Sequence, residues 1–375
     1  MAIQRVELIH TPDYEQIKKN FLDELTLAAA GKPSSISYLK HQLPQHSLLT
    51  QGIAQGIVIG GTNYIIQTIE IKPDGQKKFL KKRTGILPIF ETKQTLLDFF
   101  ARHLDERAEA IGINFGFPMK AHTGSDGEID GKLLYSTKEH SFTGLTEPIG
   151  GLVKSLFQEK YLRLPKVSIA NDTICLTLAG NGTENGALIA GTGINIGLAI
   201  HKNNQKVLLN LEAGNFNKFE PSEALKQIDV ESENPGVHIF EKIVSGKYLA
   251  IYFNQRIKKN HPEIAPIKTS QDLSELSHTN HTDLAGDLAR AIITRSAYLV
   301  AAAIAATYEF SLIQHSVLHS STFTLIGEGS LLWNGWHYQE NIQKQLNKLG
   351  IPEGKITIKH IKDSSINGAI GLITK

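Results

Sequence analysis

Two glycine-rich turns, each set between apolar strands, constrain this chain more than any other feature. The first lies in GIVIGGTNYIIQTIEI, around Gly60-Gly61-Thr62-Asn63, and the second in GALIAGTGINIGLAI at residues 186–200. Each reads as strand, tight turn, strand, because β-branched and aromatic residues flank the glycines. They are separated by about one domain length, which suggests two copies of one α/β unit. Such a duplication would set the two turns facing each other across a cleft. Glycine lets a backbone approach an anion closely, and Thr or Asn adds a donor, so both turns could hold phosphate oxygens. Either turn alone is equally an ordinary hairpin. No GxxxxGK[ST] loop occurs, and Gly191-Thr192-Gly193 is no dinucleotide fingerprint, since Gly197 falls one residue late.

The remaining chain supplies helices and further strands. Thr11, Pro12 and Asp13 read as a helix start, with Thr11 as cap. Ile17, Phe21, Leu25 and Leu27 then keep helical spacing until Gly31 and Pro33. Pro73-Asp74-Gly75 is a turn before an exposed strand, KKFLKKR. An amphipathic helix is expected at 92–104 and a buried strand at 110–117. The run SAYLVAAAIAAT (296–307) is too short to span a membrane and reads as a core helix. No Ser/Gly-rich linker separates the halves.

Composition narrows the function classes. In 375 residues, 39 Lys plus Arg meet 37 Asp plus Glu, so a nucleic-acid partner is not expected. A single cysteine, Cys175, excludes a disulfide framework and a cysteine zinc cluster, and it reads as core. His315 with His319, and His278 with His281, lack a third metal ligand. The N-terminal sequence has no leader pattern, so the expectation is a cytoplasmic protein without a membrane partner. Trp333 and Trp336 read as packing residues near a helix start.

Three places could carry chemistry. Asn171-Asp172-Thr173 ends an apolar strand, VSIA, where a helix begins. Capping explains the polar residues, and so does an Asp at a strand's carboxyl end, where it could take a proton from a hydroxyl. Glu212 and Glu241 follow apolar residues. They suit hydrogen bonds to sugar hydroxyls, ion pairs with neighbouring lysines, or the acid and base of a glycosidase. Thr137-Lys138 alone would be read as surface.

Taken in order, these pieces resemble the hexokinase family. The matching segments are LPQ near 43, GGTN (60–63), FGFP (115–118), STK (136–138), ANDT (170–173) and GTGIN (191–195). NLEAG (210–214), FEKIVSGKYL (240–249), GEGSL (327–331) and DSSINGAIGLIT (363–374) follow. The resemblance implies a duplicated ribonuclease-H-like (actin-like ATPase) α/β fold with two lobes around a central cleft. Residues 50–172, joined by 364–375, would form the small lobe, and 1–49 with 173–363 the large one.

It also implies ATP-dependent phosphorylation of a hexose at its 6-hydroxyl, with Mg2+ accompanying ATP and no direct protein ligand to the metal. Asp172 would be the general base, and Lys138 would offset charge on the transferred phosphoryl. Thr137, Lys138, Asn171, Asp172, Asn195, Glu212 and Glu241 would hold the hexose. Gly61, Thr62, Asn63, Thr192 and Gly193 would cradle the phosphates, with Gly329 and Ser330 bordering the adenosine. A monomer or homodimer is expected.

Four positions depart from the family pattern: Val58 replaces an Asp that helps position Mg2+, Ile65 an Arg, Gly116 a Ser and Ala213 a Trp. Val58 supports an alternative, a hexose-binding sensor or regulator of the same fold that lost efficient catalysis.

Overall fold

The computed structural model describes residues 12–42, 48–60, 63–117, 119–124, 127–134, 140–202, 205–278, 284–314 and 321–374. In chain order the elements begin with α1 (Tyr14–Ala29), β1 (Leu39–Gln42), β2 (Gly52–Ile59), β3 (Asn63–Ile71) and β4 (Lys77–Ile86). Next come α2 (Lys93–His103), β5 (Ala110–Phe115), β6 (Met119–Thr123), β7 (Ile129–Leu133), α3 (Ile149–Tyr161), β8 (Lys166–Ala170) and α4 (Asp172–Thr177). β9 (Gly186–Ala190), β10 (Ile194–Lys202) and β11 (Gln205–Asn210) lead into α5 (Glu223–Glu231), α6 (Ile239–Val244), α7 (Gly246–Asn260) and α8 (Ser270–His278). The chain closes with α9 (Leu284–Ile313), β12 (Phe323–Glu328), α10 (Ser330–Asn334), α11 (Tyr338–Lys348), β13 (Ile356–His360) and α12 (Ser364–Gly371).

The strands form a six-stranded sheet, β1-β11-β10-β9-β12-β13, a five-stranded sheet, β4-β3-β2-β5-β8, and the β6-β7 pair. Two compact units are present. One comprises the chain up to Tyr38 with Leu188–Ile196 and Asn210–Lys359; the other comprises Leu39–Ala187, Gly197–Leu209 and the chain from His360 onward.

The second unit is layered on the five-stranded sheet. Strand side chains alternate between faces, so Ile57, Ile59 and Ile66 join Phe99 and Phe100 of α2 and Val153 and Phe157 of α3 in one core. Ala54, Val58 and Ile69 join Ile174 of α4 and Ile366 and Ile370 of α12 in a second core on the other face. Glycines let α12 come close. A Cβ on Gly112 of β5 would lie 1.8 Å from the Ala369 carbonyl oxygen, and one on Gly368 would lie 2.0 Å from that of Cys175. The closing GAIG segment thereby fastens α4 to the sheet. Cys175 is fully buried in this core.

In the first unit α9 is the central helix, packed by α1, α6, α7, α8 and α11. The alanine run at 296–307 belongs to this 30-residue helix, which is long and apolar enough to cross a membrane. The run is therefore part of a longer element than its sequence suggests. Most of that apolar stretch is buried inside the protein, as a core helix requires. Small alanines let neighbours approach, and Ser296 bonds the Val244 carbonyl at 2.6 Å.

Helix α1 starts two residues later than its sequence suggests, and Asp13 is the cap, its Oδ1 accepting the Gln16 amide at 3.0 Å. Thr11 lies outside the described residues. Phe21 of this helix packs on Phe216 and Phe240 with ring centroids 4.9 and 6.3 Å apart.

Glu24, on the same helix, is buried and accepts the Ser35 amide at 2.5 Å and the Ser35 and Ser34 hydroxyls at 2.7 and 3.1 Å. Burial pushes its carboxyl up, but these hydrogen bonds outweigh it and leave the pKa below the usual range. A depressed acid stabilises the fold above its unfolded pKa and loses that contribution as pH falls through the folded one. Glu24→Gln should therefore cost about 1 kcal/mol near neutrality. Denaturant melts should show that difference shrinking below the ordinary carboxylate range.

Candidate active site

In the unit built on the five-stranded sheet, three parallel strands end together. Ile59 of β2 lies beside Phe115 of β5, and Asn114 of β5 lies beside Ala170 of β8. Their carboxyl ends carry Gly60, Gly116 and Asn171–Asp172 along one edge. Ligands of open α/β sheets gather at such an edge. Asn63 opens β3, is exposed, and its carbonyl accepts the Gly60 amide at 3.0 Å. Gly61, Thr62, Thr137 and Lys138 lie outside the described residues.

At the end of β8 the cap falls to one of two polar neighbours. Asn171 is the cap of α4, its Oδ1 accepting the Ile174 amide at 3.0 Å. Asp172 stands one residue further on, exposed, with Oδ1 accepting the Thr173 amide at 2.7 Å. Gly197 explains how α4 sits so near β10: a Cβ there would meet Thr177 Oγ1 at 2.6 Å. The extra glycine that spoils a dinucleotide fingerprint is thus a packing residue.

Two of the departures are one structural event. Val58 and Ile65 are cross-strand partners in the β2–β3 ladder, Val58 is buried, and both belong to the α12-side core. Where the resemblance implies an Asp and an Arg, this chain has a paired valine and isoleucine. At Gly116, a Cβ would lie 3.1 Å from the Ile59 carbonyl, so the lost side chain permits a tight approach. Ala213 is fully buried in a short 3-10 turn.

The other unit brings three glycine motifs together through their backbones. The Gly191 carbonyl accepts the Gly246 amide at 2.7 Å, and the Thr192 carbonyl accepts that of Lys247 at 3.3 Å. Gly329, at φ +119°, presses on the same turn; a Cβ there would lie 2.2 Å from the Ala190 carbonyl. GTGIN, SGKY and GEGSL therefore form one cluster, with Thr192 exposed and Ser330 opening α10. Trp333 of that helix donates to the Gly327 carbonyl at 3.3 Å.

Polar side chains adjoin this cluster. Glu241 accepts the Ile194 amide at 3.3 Å, and Gly193 leaves room for it, since a Cβ there would be 2.8 Å from Oε2. Burial pushes the Glu241 carboxyl up against the lowering effects of that amide, Lys247 and Lys242. The neighbouring lysine is not its ion-pair partner: Lys242 is fully buried and bonds Asp229 at 2.6 Å and the Asn234 carbonyl at 2.7 Å.

Asn195 Nδ2 donates to Asn210 Oδ1 at 2.9 Å, and Asn210 Nδ2 donates to Glu212 Oε1 at 2.6 Å. Asn195 Oδ1 in turn accepts the Ala213 amide at 3.1 Å. Glu212 is held at φ +47°, a left-handed conformation of the kind that clusters at ligand sites. Asn210 was given no role on sequence grounds, although it is the first residue of NLEAG; buried, it is the bridge between the two predicted ligands. Amides and carboxylates locked in this way are suited to a polyol, which offers both donors and acceptors.

The hexokinase family model matches residues 185–263 and 253–373, just over half of the chain. The chain belongs to the hexokinase family. It is 23% identical to the hexokinase of Schistosoma mansoni, over 96% of this chain and 93% of that protein. It is 26% identical to Hexokinase-5 of Oryza sativa subsp. japonica over 62% of this chain, a match spanning only 55% of the rice protein. Among solved structures, the Schistosoma mansoni hexokinase complexed with glucose superposes with a TM-score of 0.72 at 20% identity, covering 96% of this chain and 94% of that one. The fold is therefore that of the hexokinases, an α/β actin-like ATPase fold.

Proposed function

We propose that this hexokinase-family chain transfers the terminal phosphoryl group of MgATP to the 6-hydroxyl of a hexose, glucose foremost. The observation that carries this reading is an exposed carboxylate, Asp172, at the end of β8, on the same sheet edge as Gly60, where β2 ends. Asp172 takes the hydroxyl proton, which lets the oxygen attack phosphorus as ADP leaves. Asn171 spends its oxygen on the helix cap, so its amide NH2 is the group left to face a sugar oxygen. Glu212, Glu241 and Asn195 accept and donate to the remaining hydroxyls, with Thr137 and Lys138. Gly61, Thr62, Asn63, Thr192 and Gly193 hold phosphates, Lys138 offsets their charge, and Gly329 and Ser330 border the nucleoside. Magnesium arrives as part of MgATP, held by phosphate oxygens and water. The protein works in the cytoplasm as a monomer or homodimer.

Val58 favours a second reading, a sensor that binds hexose without efficient turnover. ADP release with MgATP and glucose, mannose, fructose or N-acetylglucosamine in turn separates the two. Sugar-dependent turnover supports the kinase; thermal stabilisation by sugar without turnover supports the sensor.

The Val58–Ile65 pairing adds an expectation. Val58→Asp alone buries a carboxylate against isoleucine and should cost about 1–3 kcal/mol. Val58→Asp with Ile65→Arg should recover part of it, as thermal melts of both variants would show.

A further inference from the structure

A charged cavity of about 300 Å³ lies wholly within the five-stranded-sheet unit. Its lining includes Thr68, Lys81, Arg83, Arg102 and His103, together with the 104–107 loop. That loop leads into the amino end of β5, so the cavity lies toward the opposite edge of the parallel strands from Asp172.

Strand register explains why two cations face it. β3 and β4 pair as Ile71–Lys77 to Ile69–Phe79, then shift, so that Thr68 opposes Lys81 and Ile66 opposes Arg83. The extra residue turns Lys81 and Arg83 to the face of Thr68 and Ile66. Lys82 is sent to the other face, where it meets Asp363 at 2.9 Å. Unbroken pairing would have put Leu80 and Lys82 over the cavity instead. Bulges commonly re-aim side chains in this way.

The charge in the cavity is only partly answered. Asp105 is committed to Arg107, at 2.8 and 3.0 Å, and to Thr68 at 3.3 Å. Glu106, the other acidic lining residue, is exposed. Among the described residues neither Lys81 nor Arg83 has an ion pair. His103 Nδ1 is buried without a hydrogen-bond partner. Burial, with Arg83 and Arg102 nearby, holds its imidazole below the ordinary range.

We propose that this cavity binds a small phosphate-bearing anion, with Lys81 and Arg83 as its principal contacts. Guanidinium and ammonium donors converging from one strand suit a tetrahedral dianion, and a neutral imidazole adds a further hydrogen-bonding group. The proposal is independent of the kinase reading, since its test uses neither sugar nor ATP.

The test follows the His103 ring resonances in the full chain, assigned by their loss in His103→Gln, during titration with inorganic phosphate, glycerol phosphate or citrate. The expected result is a saturable shift with phosphate and glycerol phosphate. It should weaken at least tenfold in Lys81→Ala/Arg83→Ala and stay unchanged in Lys82→Ala. Both positions are exposed, so the double variant should keep its melting temperature. No shift, a shift with citrate alone, equal affinity in the double variant, or an equal loss in Lys82→Ala would overturn the proposal.

Discussion

Asp172→Ala should lower hexose-dependent kcat about 10²- to 10⁴-fold, the range for loss of a positioned general base. The fold should survive, because the side chain is exposed and its bonds to the Thr173 amide and hydroxyl are local to the adjacent residue. Capping of α4 rests on Asn171, which the substitution leaves in place. Asp172→Asn sharpens the test. It keeps an oxygen for the Thr173 amide but cannot take a proton, so it should be as slow as the alanine variant while retaining hexose binding. A steady-state comparison of kcat with hexose affinity by calorimetry measures both. Full activity in Asp172→Asn would remove the residue from the chemistry.

Gly112→Ala should be the most destabilising single methyl in the molecule's described cores. The new Cβ would lie 1.8 Å from the Ala369 carbonyl oxygen and 2.8 Å from its carbon, both backbone atoms that cannot rotate away. Either β5 or α12 must move, and overpacking of this kind costs about 3 kcal/mol or more. The damage should reach the site. α12 packs on α4, whose first residue is Asp172, so displacing α12 loosens the proposed base as well as the fold. Thermal unfolding and limited proteolysis of the C-terminal segment would check this; an unchanged melting temperature would contradict it.

Features set by neighbouring residues were legible in the sequence. Both glycine hairpins appear as expected, at β2–β3 and β9–β10, because period-two apolar strands and glycine turns are local signals. Asn171 and Asp172 were ambiguous because one polar cluster at a strand end fits both capping and catalysis. The structure gives the cap to Asn171 and leaves Asp172 exposed beside it.

What was not legible depends on partners far away in sequence. Asn210 matters through Asn195 and Glu212 at once, and nothing in its own surroundings signals that bridge. Gly112 looks like any strand glycine until α12 returns against it. The alanine run looked shorter than its helix because polar residues such as Arg290 flank it without ending it. The pairing of Val58 with Ile65 was hidden for the same reason: two separate departures become one only when the strands are registered.

The central claim is phosphoryl transfer to a hexose, and phosphorus NMR of the wild-type protein with glucose and MgATP tests it most directly. ATP should decline together with the appearance of ADP and glucose 6-phosphate, and omitting glucose should stop both. ATP consumed equally without sugar, or glucose left unphosphorylated while ATP persists, would contradict it.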